Sequence, residues 1–161
     1  MNRLVIAALL IAWRHSCGAQ SVDQFKLIGQ FDNVSSADGG EHCSGYALNL
    51  WESNARLLGF LHLHSGLCGD PPCAAIHDPS FDPKTGSLVF SARIASESVK
   101  FVGSLQGKRI RGTLNGRPVR LNRLPLRTET FEPDRSLRAW CSFWESVPGC
   151  AGVKDLCQSL R

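Results

Sequence analysis

No apolar run in this chain of 161 residues reaches the ~18–20 residues that a membrane-spanning helix needs. Charge is modest as well. Asp, Glu, Lys and Arg make up 20% of the residues against 43% hydrophobic, a balance that excludes an intrinsically disordered chain. The motifs of common catalytic centres are missing: there is no Gly-x-Ser-x-Gly, no His-Glu-x-x-His and no phosphate-binding glycine loop. Asp70, Asp78 and Asp82 stand in turn-like stretches rather than paired on strands, and turn chemistry accounts for aspartate there. An enzyme is therefore not expected, and no cofactor is implied. The length supports one domain with a short appendage and allows a real core.

The N-terminus reads as an export signal. Arg3 supplies the positive start, Leu4 to Trp13 is apolar, and Cys17-Gly18-Ala19 offers small residues for cleavage. Arg14-His15-Ser16 before Cys17 does not fit a lipid-attachment site. Removal of residues 1–19 takes Lys+Arg from 18 to 16 against 14 acids, so the mature chain carries about +2. It also takes Cys17, and seven cysteines become six. An even set in an exported chain implies disulfides, and hence a secreted or periplasmic location.

From Gln24 to Arg123 short apolar runs alternate with turn signals every eight to twelve residues, the rhythm of an all-β meander. The expected strands are Phe25–Asn33, His42–Glu52, Arg56–His64, Ala74–His77, Ser87–Ile94, Val99–Leu105, Arg109–Leu114 and Arg117–Arg123. Ser53-Asn54 is a tight polar turn, Asp82 to Gly86 a type I turn closed by glycine, and Asn115-Gly116 a type I′ hairpin. Val99, Phe101, Gly103 and Leu105 share one face, as do Ile110, Gly112 and Leu114, while Lys100, Ser104, Arg109, Arg111 and Thr113 take the other. Eight consecutive antiparallel strands lose their hazardous edges by closing on themselves. The expected fold is mainly β, an eight-stranded antiparallel up-and-down barrel over residues 20–124. Phe, Leu and Ile dominate the inward positions, and eight strands can be packed solid by such side chains. The run from Phe101 to Gly116 resembles the repetitive hairpins of small exported up-and-down barrels of the avidin and lipocalin (calycin-like) type. The resemblance spans residues 25–123 and carries an architecture without a ligand, because the lipocalin Gly-x-Trp signature and the avidin tryptophans are absent.

Residues 125–161 differ in character. Pro125 and Pro133 bracket a linker, after which Leu137, Trp140, Cys141 and Trp144 fall at helical spacing. Val147-Pro148-Gly149 breaks that helix, and Val153, Leu156, Cys157 and Leu160 align on a second. Two helices this short need a docking face. The third strand offers one, with Leu57, Leu61 and Leu63 pointing one way and Leu58 and Phe60 the other. Six cysteines allow fifteen pairings. The prolines of Cys68-Gly-Asp-Pro-Pro-Cys73 suggest a local Cys68–Cys73 bridge; Cys141–Cys157 would staple the helices, leaving Cys43–Cys150 to tie barrel to tail.

Two clusters stand out as candidate sites. His62 and His64 alternate along a strand and so face one side, with His77 and Asp70 nearby in sequence. These four are the expected binding residues, lining one barrel mouth together with the Ser65–Cys73 loop, and His62, His64 and His77 are the ligands if a metal binds. The second cluster is basic. Lys100 to Arg127 holds eight cations and no acid, with Arg109, Arg111 and Arg120 expected on the outer face. In an exported protein that face suits an anionic protein, a glycan or a lipid head group. Nucleic acid is not expected, since no stacking aromatics are interleaved. The favoured function is an exported, non-catalytic binding protein such as an inhibitor; the alternative is a metal-binding protein or metal-dependent enzyme centred on His62, His64 and His77.

Overall fold

The computed structural model describes residues 25–54, 56–69, 71–125 and 137–160; the expected export signal, Asp70 and most of the linker lie outside them. The elements are β1 (Lys26–Asp32), β2 (Ser35–Ala37), β3 (His42–Ser53), β4 (Arg56–Leu67), β5 (Cys73–Phe81), β6 (Ser87–Ile94), β7 (Glu97–Gln106), β8 (Arg109–Leu114), β9 (Arg117–Arg123), α1 (Leu137–Glu145), β10 (Cys150–Ala151) and α2 (Val153–Ser159). Eight of them form a closed antiparallel barrel in which each strand pairs with its neighbour in sequence. β1 pairs with both β3 and β9, which closes the ring. β2 prolongs β1 along the start of β3, and β10 lies parallel to β5.

The turns follow their residues. Asn54 has φ 48° between β3 and β4; Asn115 and Gly116 have φ 48° and 78°, the two left-handed positions of a type I′ turn. The Asn115 amide also braces β7, accepting from the Lys100 N–H at 2.8 Å and donating to Ser98 O at 3.1 Å. Between β5 and β6, the Asp82 carboxylate accepts from Lys84 N–H and from the Thr85 hydroxyl, and Gly86 closes the turn at φ 75°. The fourth expected strand, Ala74–His77, is too short. A bulge between His77 and Ser80, with Asp78 at φ 48°, lets β5 continue through Asp-Pro to Phe81.

The barrel is filled. Phe31, Leu48, Leu50, Leu61, Ile76, Leu88, Phe90, Phe101 and Ile110 are all nearly inaccessible and form one core. Phe90 and Phe101 stack at 5.0 Å. Gly103 and Gly112 stand opposite each other beneath the Phe101 ring; a Cβ on Gly103 would lie 2.6 Å from that ring and 2.7 Å from Gly112 Cα. Only a glycine pair admits the phenyl group, which is why the core can be closed here without a void.

The seam between β9 and β1 is short: Phe31 faces Arg123 and Asp32 faces Asn122. Leu124 N–H adds a bond to Gln30 O at 2.8 Å. The register of β1 slips between Leu27 and Gly29, and the Arg123 guanidinium donates to the Ile28 carbonyl there.

A second core lies outside the barrel. Leu58, Phe60 and Trp51 on the outer face of β3–β4 pack against Trp140, Cys141 and Trp144 of α1 and Val153 and Cys157 of α2. Leu57 and Leu61 point into the barrel while Leu58 and Phe60 meet the helices, as their alternation requires.

Three disulfides fix this arrangement, and two differ from the expected pairing. Cys141–Cys157 joins the helices as anticipated, but Cys43 pairs with Cys68 and Cys73 with Cys150, replacing Cys68–Cys73 and Cys43–Cys150. Strand register explains the difference. The β3–β4 ladder runs to His42–Leu67, and Cys68 N–H bonds Glu41 O, which sets Cys68 beside Cys43 at a Cα separation of 4.9 Å. Cys73 instead faces His62 well down β4, with Leu63 N–H bonded to Pro72 O. The five steps of β4 from His62 to Leu67 cover about 16 Å, far beyond disulfide reach. Cys150 then reaches Cys73 because β10 pairs with β5 in register at these two residues. Such bonds belong to an oxidising, extracytoplasmic compartment.

Candidate binding surfaces

His62 and His64 do sit side by side, on the outer wall of the barrel rather than at a mouth. They share the face of Leu58 and Phe60, just beyond the helices, and the His62 ring lies 6.4 Å from that of Trp144. Across the ladder His62 faces Ala47 and His64 faces Gly45, while Asp32 of β1 faces Ala47 from the other side. The small residues of β3 thus leave a shallow polar trough between two histidines and an aspartate. Burial raises the Asp32 carboxyl above its usual range, and the His64 charge partly offsets this. His64 Nδ1 is buried with no hydrogen-bond partner among the described residues.

Burial, with His64 alongside, pushes the His62 imidazole down to about 4. The neutral ring can take the Asn49 amide, 3.3 Å away, at Nε2. The unfolded chain binds the proton with an ordinary pKa near 6.5, so between about pH 4 and 6.5 it holds more protons than the folded one. Stability therefore rises with pH across that window and is lost as pH falls through it, by something of the order of 2 kcal/mol for a half-buried ring. His62→Gln should flatten this part of a plot of denaturation midpoint against pH. An unchanged slope in the variant would remove His62 as its source.

His77 does not join the pair. It follows Cys73, the partner of His62, by four positions along β5, about 13 Å away. Its ring instead abuts Gly152, with Nε2 3.3 Å from where a Cβ on that glycine would stand. His42 lies at the far end of β3, 3.3 Å from the Asp38 carboxylate. No group of three or more His, Cys, Asp and Glu side chains is disposed to hold a metal among the described residues. Asp70 lies outside them.

The basic cluster is brought together. Arg111 of β8 stands directly opposite Arg120 of β9, and Arg109 faces Asn122 one step further along the same side. All three arginines are exposed. Like charges facing each other across strands are destabilising, and no ion pair relieves these three among the described residues.

The same face continues through β7, as the alternation of Lys100 and Ser104 required, and on to β6, where sequence alone did not place it. Ser104 faces Arg111, Ser91 faces Lys100, and Ser98 faces Arg93. The outward positions of β6–β9 therefore bear five cations and no carboxylate. Arg93 escaped the sequence reading because it lies seven residues before Lys100, outside the acid-free run. Its signal was the alternation Ser87-x-Val89-x-Ser91-x-Arg93, which puts it on the outer side.

Two hollows flank the α2 end. One, of about 570 Å³, lies between the outer face of β6–β7 and α2 and is lined by Ser91, Arg93, Ser98 and Lys100 opposite Gly152 and Asp155. The other, of about 720 Å³, lies beside it at one barrel end, with Leu57, Ile76 and Phe81 in its floor and Glu52, Asp78 and Asp155 at its rim. The chain matches no family model, no curated protein and no solved structure, so what it does must be read from these surfaces.

Proposed function

We propose that this is an exported, non-catalytic binding protein that holds an anionic partner on its basic outer face. The observation that carries the reading is the Arg111–Arg120 pair with Arg109 beside it, facing solvent with no acid on the outer side of β6–β9; Asp32 of β1 stands in register beyond Asn122. Two like charges in register cost stability unless a partner neutralises them. The packed interior supports the same reading from the other direction: a barrel filled by Phe31, Phe90 and Phe101 leaves recognition to the outer wall and loops.

Binding of the protein to three immobilised polyanions, namely heparin, polyglutamate and phosphatidylglycerol vesicles, tests the reading. At least one is expected to retain it at about 0.05 M salt and release it by about 0.5 M, where screening shortens the reach of charge. Arg109→Ala, Arg111→Ala and Arg120→Ala combined should weaken that binding by about tenfold or more, each exposed contact contributing up to about 1 kcal/mol. Retention on none of the three, indifference to salt, or full binding by the triple variant would each sink it.

A further inference from the structure

We propose that the anionic partner is a linear anionic polysaccharide, laid across the outer face of β6–β9 with one end seated in the hollow beneath α2. The inference rests on the binding role above and adds the partner's chemistry and its polarity on the surface.

The cations fall into two groups. Arg93 and Lys100 line the hollow, while Arg109, Arg111 and Arg120 lie further along the sheet. Lys100 is four residues from Ser104, the partner of Arg111, so the groups are about 13 Å apart along the strands. A ligand with one anionic group reaches one of them. A chain with repeated anionic groups reaches both.

Between the groups runs a waist of Val89, Val102, Thr113 and Pro118, aligned across four strands. These compact side chains give a low strip, and Val102 is 48% exposed. Pyranose rings present C–H faces of that kind between their charged substituents. Serines flank the strip, Ser91 on the hollow side and Ser104 on the other. Hydroxyl groups at these points suit a hydroxyl-rich polymer, since each can both donate and accept.

The other sources of anionic charge fit less well. A bilayer meets a protein as a plane, but these cations follow the curve of the barrel over four strands and enter a recess walled by Ala151 and Gly152. A peptide that binds by adding a strand needs a free sheet edge. Here the cations lie on strands of a closed ring, with β9 joined to β8 on one side and to β1 on the other. The hollow is of the size that encloses a small ligand or the end of a larger one. Its one carboxylate among the described residues, Asp155, is outnumbered by Arg93 and Lys100.

Heparin-derived oligosaccharides of defined length are the probe, with polyglutamate and phosphatidylglycerol vesicles as the competing arms and the oxidised full chain as the receptor. A hexasaccharide is expected to lose about tenfold in affinity in Arg93→Ala/Lys100→Ala and a similar factor in Arg111→Ala/Arg120→Ala. A disaccharide, too short for both groups, should respond to the first variant alone. If polyglutamate or vesicles bind and the oligosaccharides do not, the polysaccharide is wrong while the binding role stands. If the hexasaccharide ignores Arg93→Ala/Lys100→Ala but fails with the other variant, the seat beneath α2 is wrong. Failure of all three probes to bind removes both proposals. Exposed positions on strand faces were chosen so that each variant keeps its fold, checked by an unchanged denaturation midpoint.

Discussion

Replacing Cys73 and Cys150 together by serine should lower the unfolding free energy by about 4 kcal/mol, a large part of the 5–15 kcal/mol typical of a domain. Those cysteines are 77 residues apart, and the entropy that a crosslink withholds from the unfolded chain grows with the loop it closes. The other bridges close 25 and 16 residues. Location adds to the effect. β10 is two residues long, and Cys73 N–H to Gly149 O at 3.3 Å helps hold the tail to β5. Without the bridge, α1 and α2 keep their mutual link through Cys141–Cys157 but lose their crosslink to the barrel. The expected signature is a lower denaturation midpoint together with faster amide exchange across α1 and α2, while β6–β9 stay protected. A smaller fall than that of Cys141→Ser/Cys157→Ser would contradict this ranking of the bridges.

Trp140→Ala carries the other large effect, about 3–5 kcal/mol. Trp140 is fully buried and central to the outer core. Its ring stacks on Phe25 at 5.3 Å and contacts Trp51 at 5.7 Å and Phe60 at 5.5 Å. α1 spans nine residues, too few to persist alone, so its helix depends on this contact. The indole N–H finds no acceptor among the described residues. Trp140→Phe keeps most of the packing and deletes the unsatisfied donor, so it should cost no more than about 1.5 kcal/mol. Equal losses in the two variants would mean that the nitrogen, rather than the ring, holds the helix in place.

The barrel was legible because its signals were local. The boundaries of β6, β8 and β9 follow directly from Gly86, Asn115-Gly116 and strict alternation of side chains. The helices were legible for a related reason, since Trp140, Cys141 and Trp144 fall on one face at helical spacing. What sequence did not yield depended on register. Whether Cys68 meets Cys73 or Cys43 turns on where β4 stops pairing with β3, and no residue announces that point. The same holds for the candidate sites. His62 and His64 were neighbours by alternation alone, but which wall they occupy depends on where the helices dock. Arg93 joins Lys100 only through the pairing of β6 with β7.

The interleaving of two of the bridges sets a demand on maturation. A chain that enters an oxidising space N-terminus first presents its thiols in order, and joining them two by two as they emerge gives Cys43–Cys68 correctly. The same rule would then join Cys73 to Cys141 and Cys150 to Cys157, both foreign to the folded state. Cys73 must therefore remain unmated, or be released from a wrong mate, until Cys150 has arrived. Yield of the native chain is therefore expected to rise when thiol exchange is allowed to reshuffle the bonds, compared with an oxidant alone.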